Sequence, residues 1–384
     1  MNKPFQSPFT ELDTQFMQQA LALAGRGRFT VWPNPRVGCV IVQSSPEEKT
    51  PRVIGAGYHQ RKGEPHAERN ALAACVENPR GATLYVTLEP CCHHGSTPPC
   101  TEAILEAGIR RVVVAIQDPF PAVQGKGIEI LRQHGILVDV GLLEGQAWYE
   151  NRFFFHLHSH HRPWVILKTA VTLDGKCATA TGHSKWITGE EARAHVHLVR
   201  AEADAILAGI QTVLSDNPTL TARPQGLGAH EFIPPVRIIL DTHLRIPLDC
   251  TLIQTREQAP VWIFCGPQAP IEMRHALQNL GIPTLQVNQT GGYLHPGEIL
   301  ATLAERSISS LFLEGGPTIH TTFLEAGLVN EVLVYIAPIL AGGKASPSFY
   351  MGTGVATMNT APRLSRVERL SLGADTLIRG ILKT

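Results

Sequence analysis

His66-Ala67-Glu68, followed one strand and one turn later by Glu89-Pro90-Cys91 and then by Cys100, is the stretch that decides the reading of the first half of the chain. One histidine and two cysteines supply three donors of a tetrahedral zinc site and leave the fourth position to water, which is the arrangement of a catalytic metal. A metal held this way brings the pKa of its water toward neutrality, so that hydroxide becomes available at physiological pH. Glu68 stands two residues after His66, where side chains on a regular helix point apart, so it is not expected as a fourth ligand. It is placed instead to take a proton from that water and pass it to a substrate nitrogen. Taken singly, an H-x-E occurs by chance and two nearby cysteines are ordinary core residues. The combination, delivered by one strand and its turn, is what carries the assignment. Eight residues separate Cys91 from Cys100, where the short zinc-binding spacing has two to four. Spacing alone therefore leaves Cys92, His93 and His94 as competing ligands.

Working outward, residues 82–88 read as the strand that delivers Cys91, and 65–76 as the helix that begins with His66. Upstream, residues 10–24 place Leu12, Phe16, Ala20 and Leu23 or Ala24 at helical spacing, with Gly25 set to stop the helix. Apolar runs at 37–42 and 53–57 follow the Pro33-Asn34-Pro35 break. Downstream come a helix at 101–107, a run at 112–116, a helix at 127–134 and a strand at 137–140. Strands alternating with helices imply a layered α/β sheet. His66 at the start of one helix and Cys100 just before another place the positive helix ends beside the thiolates.

Residues 149–163, rich in aromatic and histidine side chains, interrupt that rhythm, and the domain boundary is placed there, giving domains 1–152 and 163–384. Past it, 164–171 reads as a strand, and Thr188-x-x-Glu191 as a capping box opening a helix to about Arg200. Further strands are expected at 205–208, 236–240, 261–264, 311–313 and 332–336.

Composition bounds the function. The 384 residues are 43% hydrophobic and 17% charged, enough apolar material for two buried sheets. The formal charge of +0 gives no global field to attract nucleic acid or an anionic membrane, so a small-molecule partner is expected. No run is long enough to span a bilayer, and no basic region leads into an apolar one near the start. Eight cysteines, three of them crowded at Cys91, Cys92 and Cys100, do not form the even framework of a secreted disulfide scaffold. Reduced thiols and a cytoplasmic location are expected.

The string Thr87-Leu88-Glu89-Pro90-Cys91-Cys92-His93-His94-Gly95-Ser96-Thr97-Pro98-Pro99-Cys100 resembles the zinc loop of the bifunctional riboflavin-biosynthesis deaminase/reductase family. The resemblance selects Cys91 and Cys100, with His66, as the metal ligands, and Glu68 as the catalytic proton carrier. Pro33-Asn34-Pro35-x-Val37-Gly38 is similar to the family's pyrimidine-binding loop, which implies that Asn34 reads the base edge and that His59 faces the substrate. Where the family often has a basic residue, this chain has Ser96. The implied fold is a cytidine-deaminase-like α/β/α sandwich followed by a dihydrofolate-reductase-like (Rossmann-like) α/β domain.

The second half carries its own resemblance, to the family's reductase domain, in Lys168-Thr169-Ala170-x-x-Leu173-Asp174-Gly175-Lys176, Ser184-Lys185-Trp186-Ile187-Thr188 and Thr212-x-x-x-Asp216-Asn217-Pro218-x-Leu220-Thr221-x-Arg223. Physically these runs say little alone: Asp174-Gly175 is a turn signal, and a single Trp186 is an ordinary core residue. Leu313-Glu314-Gly315-Gly316-Pro317-Thr318 is more informative, a strand, a glycine turn and a helix start of the kind that receives a phosphate. The resemblance implies that Ala170, Trp186, Thr212, Asp216, Thr242, Gly316, Pro317, Thr318, Ile319, His320, Thr321 and Thr322 approach NADPH. It implies likewise that Lys168, Ser184, Arg200, Leu220, Arg223 and Glu314 surround the substrate, with Arg200 and Arg223 as anchors for its phosphate.

The expected reactions are zinc-dependent deamination of 2,5-diamino-6-ribosylamino-4(3H)-pyrimidinone 5′-phosphate, then NADPH-dependent reduction of the ribosyl group to ribityl, in a homodimer. One rival keeps the zinc deaminase but acts on a base in nucleic acid, with the second half as a binding module. Another makes the zinc structural and the chain a scaffold, which would require a fourth protein ligand.

Overall fold

Thr10 caps the first helix, α1 (Glu11–Gly25), through a reciprocal pair: its hydroxyl accepts the Asp13 amide, and the Asp13 carboxylate accepts the Thr10 amide at 2.8 Å. The computed structural model describes residues 9–44, 50–94, 98–228 and 230–383, and divides between His160 and His161 into two units. Among the described residues no helix is long and apolar enough to cross a membrane.

In the first unit α1 is followed by β1 (Gly38–Gln43), β2 (Arg52–Tyr58), α2 (Ala67–Ala73), β3 (Thr83–Val86), α3 (Cys100–Glu106), β4 (Arg111–Val114), α4 (Lys126–Gln133), β5 (Leu137–Val140), α5 (Glu144–Glu150) and α6 (Arg152–His160). The strands form one sheet in the order β2-β1-β3-β4-β5, antiparallel at its first two pairings and parallel at the last two. Alternation along each strand separates two cores. Cys39, Ile41, Leu84, Val86, Val112 and Val114 face Ala67, Ala71 and Ile104, whereas Val40, Val42, Tyr85 and Val113 face Phe16, Met17 and Ala20. The result is the expected α/β/α sandwich.

Two glycines set the position of α2. A Cβ on Gly57 would lie 2.4 Å from the Ala71 nitrogen, and one on Gly55 would lie 2.4 Å from the Ala71 oxygen. The helix therefore rests directly on the backbone of β2, which fixes where His66 and Glu68 stand. Residues 149–163, read from sequence as a break in the rhythm, are helical for most of their length. Arg152, Phe153, Phe155 and His156 make a buried face on α6, and Asn151 pairs with both backbone groups of Arg36.

The second unit contains β6 (Trp164–Thr172), α7 (Glu190–Glu202), β7 (Ala205–Gly209), α8 (Ile210–Asp216), β8 (Val236–Leu240), α9 (Thr251–Gln254), β9 (Val261–Cys265), α10 (Ile271–Asn279), β10 (Thr284–Gln286), the small hairpin β11 (Gln289–Thr290) and β12 (Tyr293–Leu294), α11 (Pro296–Glu305), β13 (Ser310–Leu313), α12 (Pro317–Glu325), β14 (Glu331–Ala337), β15 (Leu364–Leu372) and β16 (Asp375–Leu382). Nine strands make one sheet in the order β10-β9-β8-β7-β13-β6-β14-β16-β15. The seven from β10 to β14 are mutually parallel, and β16 and β15 close the edge antiparallel. The chain steps outward from β7 to β10, then returns to insert β13 between β7 and β6. That reversal opens a crevice at the carboxyl ends of these strands, the usual ligand position of an open α/β sheet.

The expected capping box at Thr188 does not form. Helix α7 starts after Gly189, no side chain caps it, and the Gly189 amide donates to the Asp375 carboxylate at 2.7 Å. The tertiary acceptor on β16 replaces the local one.

Candidate active sites

The His66 Nδ1 atom lies 3.4 Å from the Sγ of Cys91 and 3.4 Å from the Sγ of Cys100, and these three donor atoms form a single cluster. Bond lengths of about 2.3 Å to sulfur and about 2.0 Å to nitrogen around a tetrahedral zinc demand a nitrogen-to-sulfur edge of about 3.5 Å. The donor set therefore fits zinc as it stands. Among the described residues no fourth side chain joins the cluster.

Each donor is placed by backbone. His66 is the N-cap of α2 and Cys100 the first residue of α3, whose amide donates to the Cys91 sulfur at 3.3 Å. Cys91 follows β3, and the turn that carries it is held by Glu89, a residue whose role is not evident in the sequence. The buried Glu89 carboxylate accepts four amides, from Asp118, Gly125, Gly127 and Ile128, at 2.9–3.3 Å. Gly127 closes the same contact, since a Cβ there would meet the Pro90 oxygen at 2.1 Å. Cys92 is turned away toward the Ala122 oxygen, and the His93 ring lies against Phe120. Ser96 lies outside the described residues.

Glu68 is buried in the first turn of α2. Burial pushes its carboxyl up to about 7, with the Cys91 thiolate adding to the rise. Cys91 is drawn down to about 4, chiefly by the hydrogen bond from the Cys100 thiol, and Cys100 is pushed up correspondingly. His59 is buried beside this cluster, its ring 5.4 Å from that of His66. Its Nδ1 faces the Pro65 oxygen at 3.2 Å and its Nε2 faces Asn34 Nδ2 at 3.1 Å. The carbonyl requires the proton on Nδ1, so Nε2 accepts from the Asn34 amide and Asn34 Oδ1 remains as an acceptor. Burial lowers the pKa of His59 and keeps the ring neutral.

In the second unit, a cavity of about 420 Å³ at the carboxyl ends of β6, β7 and β13 is lined by Lys168, Ala170, Ser184, Arg200, Leu220 and Glu314, together with Thr212, Asp216, Gly316, Pro317 and His320. Arg200 holds one oxygen of Glu314, and the other, Oε1, makes no hydrogen bond and lies 4.0 Å from Lys168 Nζ. Burial pushes the Glu314 carboxyl upward, but the charges of Arg200 and Lys168 outweigh it and leave it lowered. Lys168 is lowered as well, by burial. A second cavity of about 620 Å³ shares Ser184, Thr212, Asp216, Gly316 and Pro317 with the first and adds Thr242, Thr318, Ile319 and Thr322. Thr321 lines a neighbouring cavity of about 690 Å³ with Thr318 and Thr322.

Two residues expected at the site line none of these cavities. The Trp186 ring is 74% exposed with the Arg193 guanidinium 4.7 Å over it. Arg223 is exposed and donates to the Thr219 and Thr221 hydroxyls. Arg200, expected to anchor a phosphate, is committed to Glu314 and to the Thr221 oxygen.

Comparison with known proteins follows this division. Residues 10–116 match the cytidine and deoxycytidylate deaminase zinc-binding region, and residues 163–378 match the RibD C-terminal domain. The chain is 41% identical over 375 residues, 98% of its own length and 96% of the relative's, to riboflavin biosynthesis protein RibD of Actinobacillus pleuropneumoniae. The chain belongs to the RibD family. It is 40% identical to RibD of Escherichia coli over 374 residues, covering 95% of this chain and 98% of that one. Its fold is similar to that of Acinetobacter baumannii RibD, at 37% identity and TM-score 0.87, with 97% of this chain and 99% of that one covered. A Thermotoga maritima diaminohydroxyphosphoribosylaminopyrimidine deaminase/5-amino-6-(5-phosphoribosylamino)uracil reductase is similar at 34% identity and TM-score 0.80, over 97% and 99% of the two chains.

As a RibD-family chain the protein is a bifunctional enzyme of riboflavin biosynthesis that acts on a phosphorylated pyrimidine, with a zinc-dependent deaminase half and an NADPH-dependent reductase half. The rival in which the second half is a nucleic-acid-binding module gives way to the match of residues 163–378 to a reductase domain.

Proposed function

We propose that the first unit deaminates 2,5-diamino-6-ribosylamino-4(3H)-pyrimidinone 5′-phosphate and that the second reduces the ribosyl group of the product to ribityl. The observation that carries the first half is the three-donor cluster with a buried carboxylate beside it. His66, Cys91 and Cys100 would hold zinc, which supplies a Lewis acid that acidifies water. Glu68 takes the proton released there and gives it to the ring nitrogen, then carries a second, from the added hydroxyl, to the departing amine, a role suited to a carboxyl raised to about 7. Asn34 Oδ1, left free by the pairing with His59, accepts from the amino edge of the pyrimidine.

In the second unit the cavity of about 620 Å³ takes the cofactor, whose pyrophosphate meets the start of α12 at Gly316. NADPH supplies the hydride, and the protein aligns donor and acceptor. Glu314 Oε1, without a hydrogen bond of its own, takes a sugar hydroxyl, and Lys168 Nζ steadies charge on the sugar oxygen. Arg223, exposed and with Nε uncommitted, meets the 5′-phosphate. A homodimer in the cytoplasm, without nucleic-acid or membrane partners, agrees with the neutral charge.

X-ray absorption spectroscopy of the zinc-loaded protein tests the metal assignment. It is expected to give two sulfur scatterers at about 2.3 Å and lighter atoms in the remaining positions. A third sulfur would overturn the ligand set.

A further inference from the structure

Arg237 stands on β8 with 0% exposure, and no carboxylate pairs with it among the described residues. Burial lowers its pKa to about 10, which still leaves it charged at neutral pH. A buried charge without a counter-ion is rare, and it needs every donor satisfied to be tolerated. Nη1 donates to the Thr219 oxygen at 2.9 Å and to Thr255 Oγ1 at 2.7 Å. Nη2 donates to the Thr255 oxygen at 2.8 Å and to the Ala259 oxygen at 2.5 Å. Thr255 ends α9 and Ala259 precedes β9, so three of these bonds seat the guanidinium in the framework. The fourth reaches the loop between α8 and β8, which α9 also holds at its start, where Asn217 Oδ1 accepts the Thr251 amide at 2.8 Å.

Leu220 lies on that loop between two tethered carbonyls. Arg237 holds the Thr219 oxygen, and Arg200 Nη1 holds the Thr221 oxygen at 3.0 Å. Leu220 is 5% exposed, lines the cavity of about 420 Å³ with Lys168 and Glu314, and takes a left-handed φ of 50°. A leucine disfavours that conformation and keeps it only where its surroundings enforce it. Charge-assisted hydrogen bonds are the strong kind, and only a guanidinium fork spans Thr219, Thr255 and Ala259 at once. We propose that Arg237 is a positioning residue of the reductase: through the Thr219 carbonyl it fixes Leu220 in the cavity wall, and so sets the affinity for the pyrimidine without touching it. The proposal rests on the reading that this cavity takes the deaminated pyrimidine. Arg237 lines none of the three cavities of the second unit.

The test is steady-state kinetics of the full-length protein, with the deaminated pyrimidine and NADPH varied in turn, in the wild type, Arg237→Lys and Thr255→Ala. Lysine keeps the charge but has no planar fork with which to join three segments. Arg237→Lys is expected to raise the pyrimidine KM about tenfold, the scale of one lost charge-assisted hydrogen bond, with kcat and the NADPH KM within about twofold. Thr255→Ala removes one acceptor of Nη1 far from the cavity and raises the pyrimidine KM by about threefold. An unchanged pyrimidine KM in Arg237→Lys, or in Thr255→Ala where Arg237→Lys does not fold, overturns the proposal. A fall in kcat at unchanged KM, the mark of a smaller folded fraction, overturns it as well, and so does an equal rise in the NADPH KM. A wild type that does not oxidise NADPH with the deaminated pyrimidine removes the reductase reading of the cavity, and the proposal with it.

Discussion

Arg200 grips Glu314 through two donors on the same oxygen, Nε at 3.0 Å and Nη2 at 2.5 Å, and leaves Oε1 of Glu314 facing the cavity beside Lys168. One carboxylate thus balances two half-buried cations while keeping an acceptor for a ligand. Replacing it exposes the arrangement. Glu314→Gln leaves Arg200 and Lys168 without their counter-charge, and a lost charge-assisted contact of about 3 kcal/mol corresponds to about a hundredfold fall in reductase rate. Ammonia release by the first unit stays within about twofold, since on this account the lost contact serves only the reductase step. Parallel measurement of ammonia and of nicotinamide absorbance checks both.

Glu68→Gln separates metal binding from proton transfer. The amide is nearly isosteric and lies outside the donor cluster, so zinc content stays at one per chain by elemental analysis. Deamination falls by about two to four orders of magnitude, the usual contribution of a positioned proton carrier. Full deaminase turnover in this variant would falsify the relay assigned to Glu68.

Gly57→Ala acts at a distance through packing. Its Cβ would press on the Ala71 nitrogen and on Asn70, so α2 must lift from β2. Overpacking of this kind costs about 1–3 kcal/mol. Because His66 begins α2, the variant also loses zinc to a chelator faster than the wild type, which timed competition with a chromogenic chelator measures.

Asp13 gives the first unit an acid sensitivity of predictable sign. Burial pushes its carboxyl up, but the Arg111 guanidinium at 2.6 Å and hydrogen bonds from Thr10 and Tyr85 outweigh burial and hold it at about 2. A folded pKa below the unfolded value means stability that is full above about pH 4 and is lost as pH falls from about 4 toward 2, about 2 kcal/mol in all. Denaturant unfolding of wild type and Asp13→Asn should differ at pH 6 and converge near pH 2. Carried out on metal-free samples of both proteins, the comparison isolates Asp13.

The sandwich and the zinc donors were legible because both depend on short-range patterns: alternation along β1, β3 and β4, and donor residues clustered around one turn. Choosing between Cys91 and Cys92 was a different matter. Neighbouring cysteines have the same chemistry, and only the tertiary turn that sends Cys92 toward Ala122 separates them. Glu89 was invisible as an anchor because its partners are backbone amides 29 to 39 residues away, which leave no mark in composition. The strands β15 and β16 escaped for a related reason. β15 is largely exposed on both faces, so it lacks the alternation that announces a half-buried strand. The Thr188 box failed because a distant carboxylate, Asp375, took the amide at the helix start.

The measurement that bears most directly on the whole account is a coupled assay on the zinc-loaded protein with the diaminopyrimidine ribosyl phosphate and NADPH. Ammonia release and loss of nicotinamide absorbance are followed together. The account predicts that both occur, that oxidation lags deamination, and that Glu68→Gln abolishes oxidation until the deaminated pyrimidine is supplied. Oxidation of NADPH by Glu68→Gln on the undeaminated substrate at the wild-type rate would contradict it.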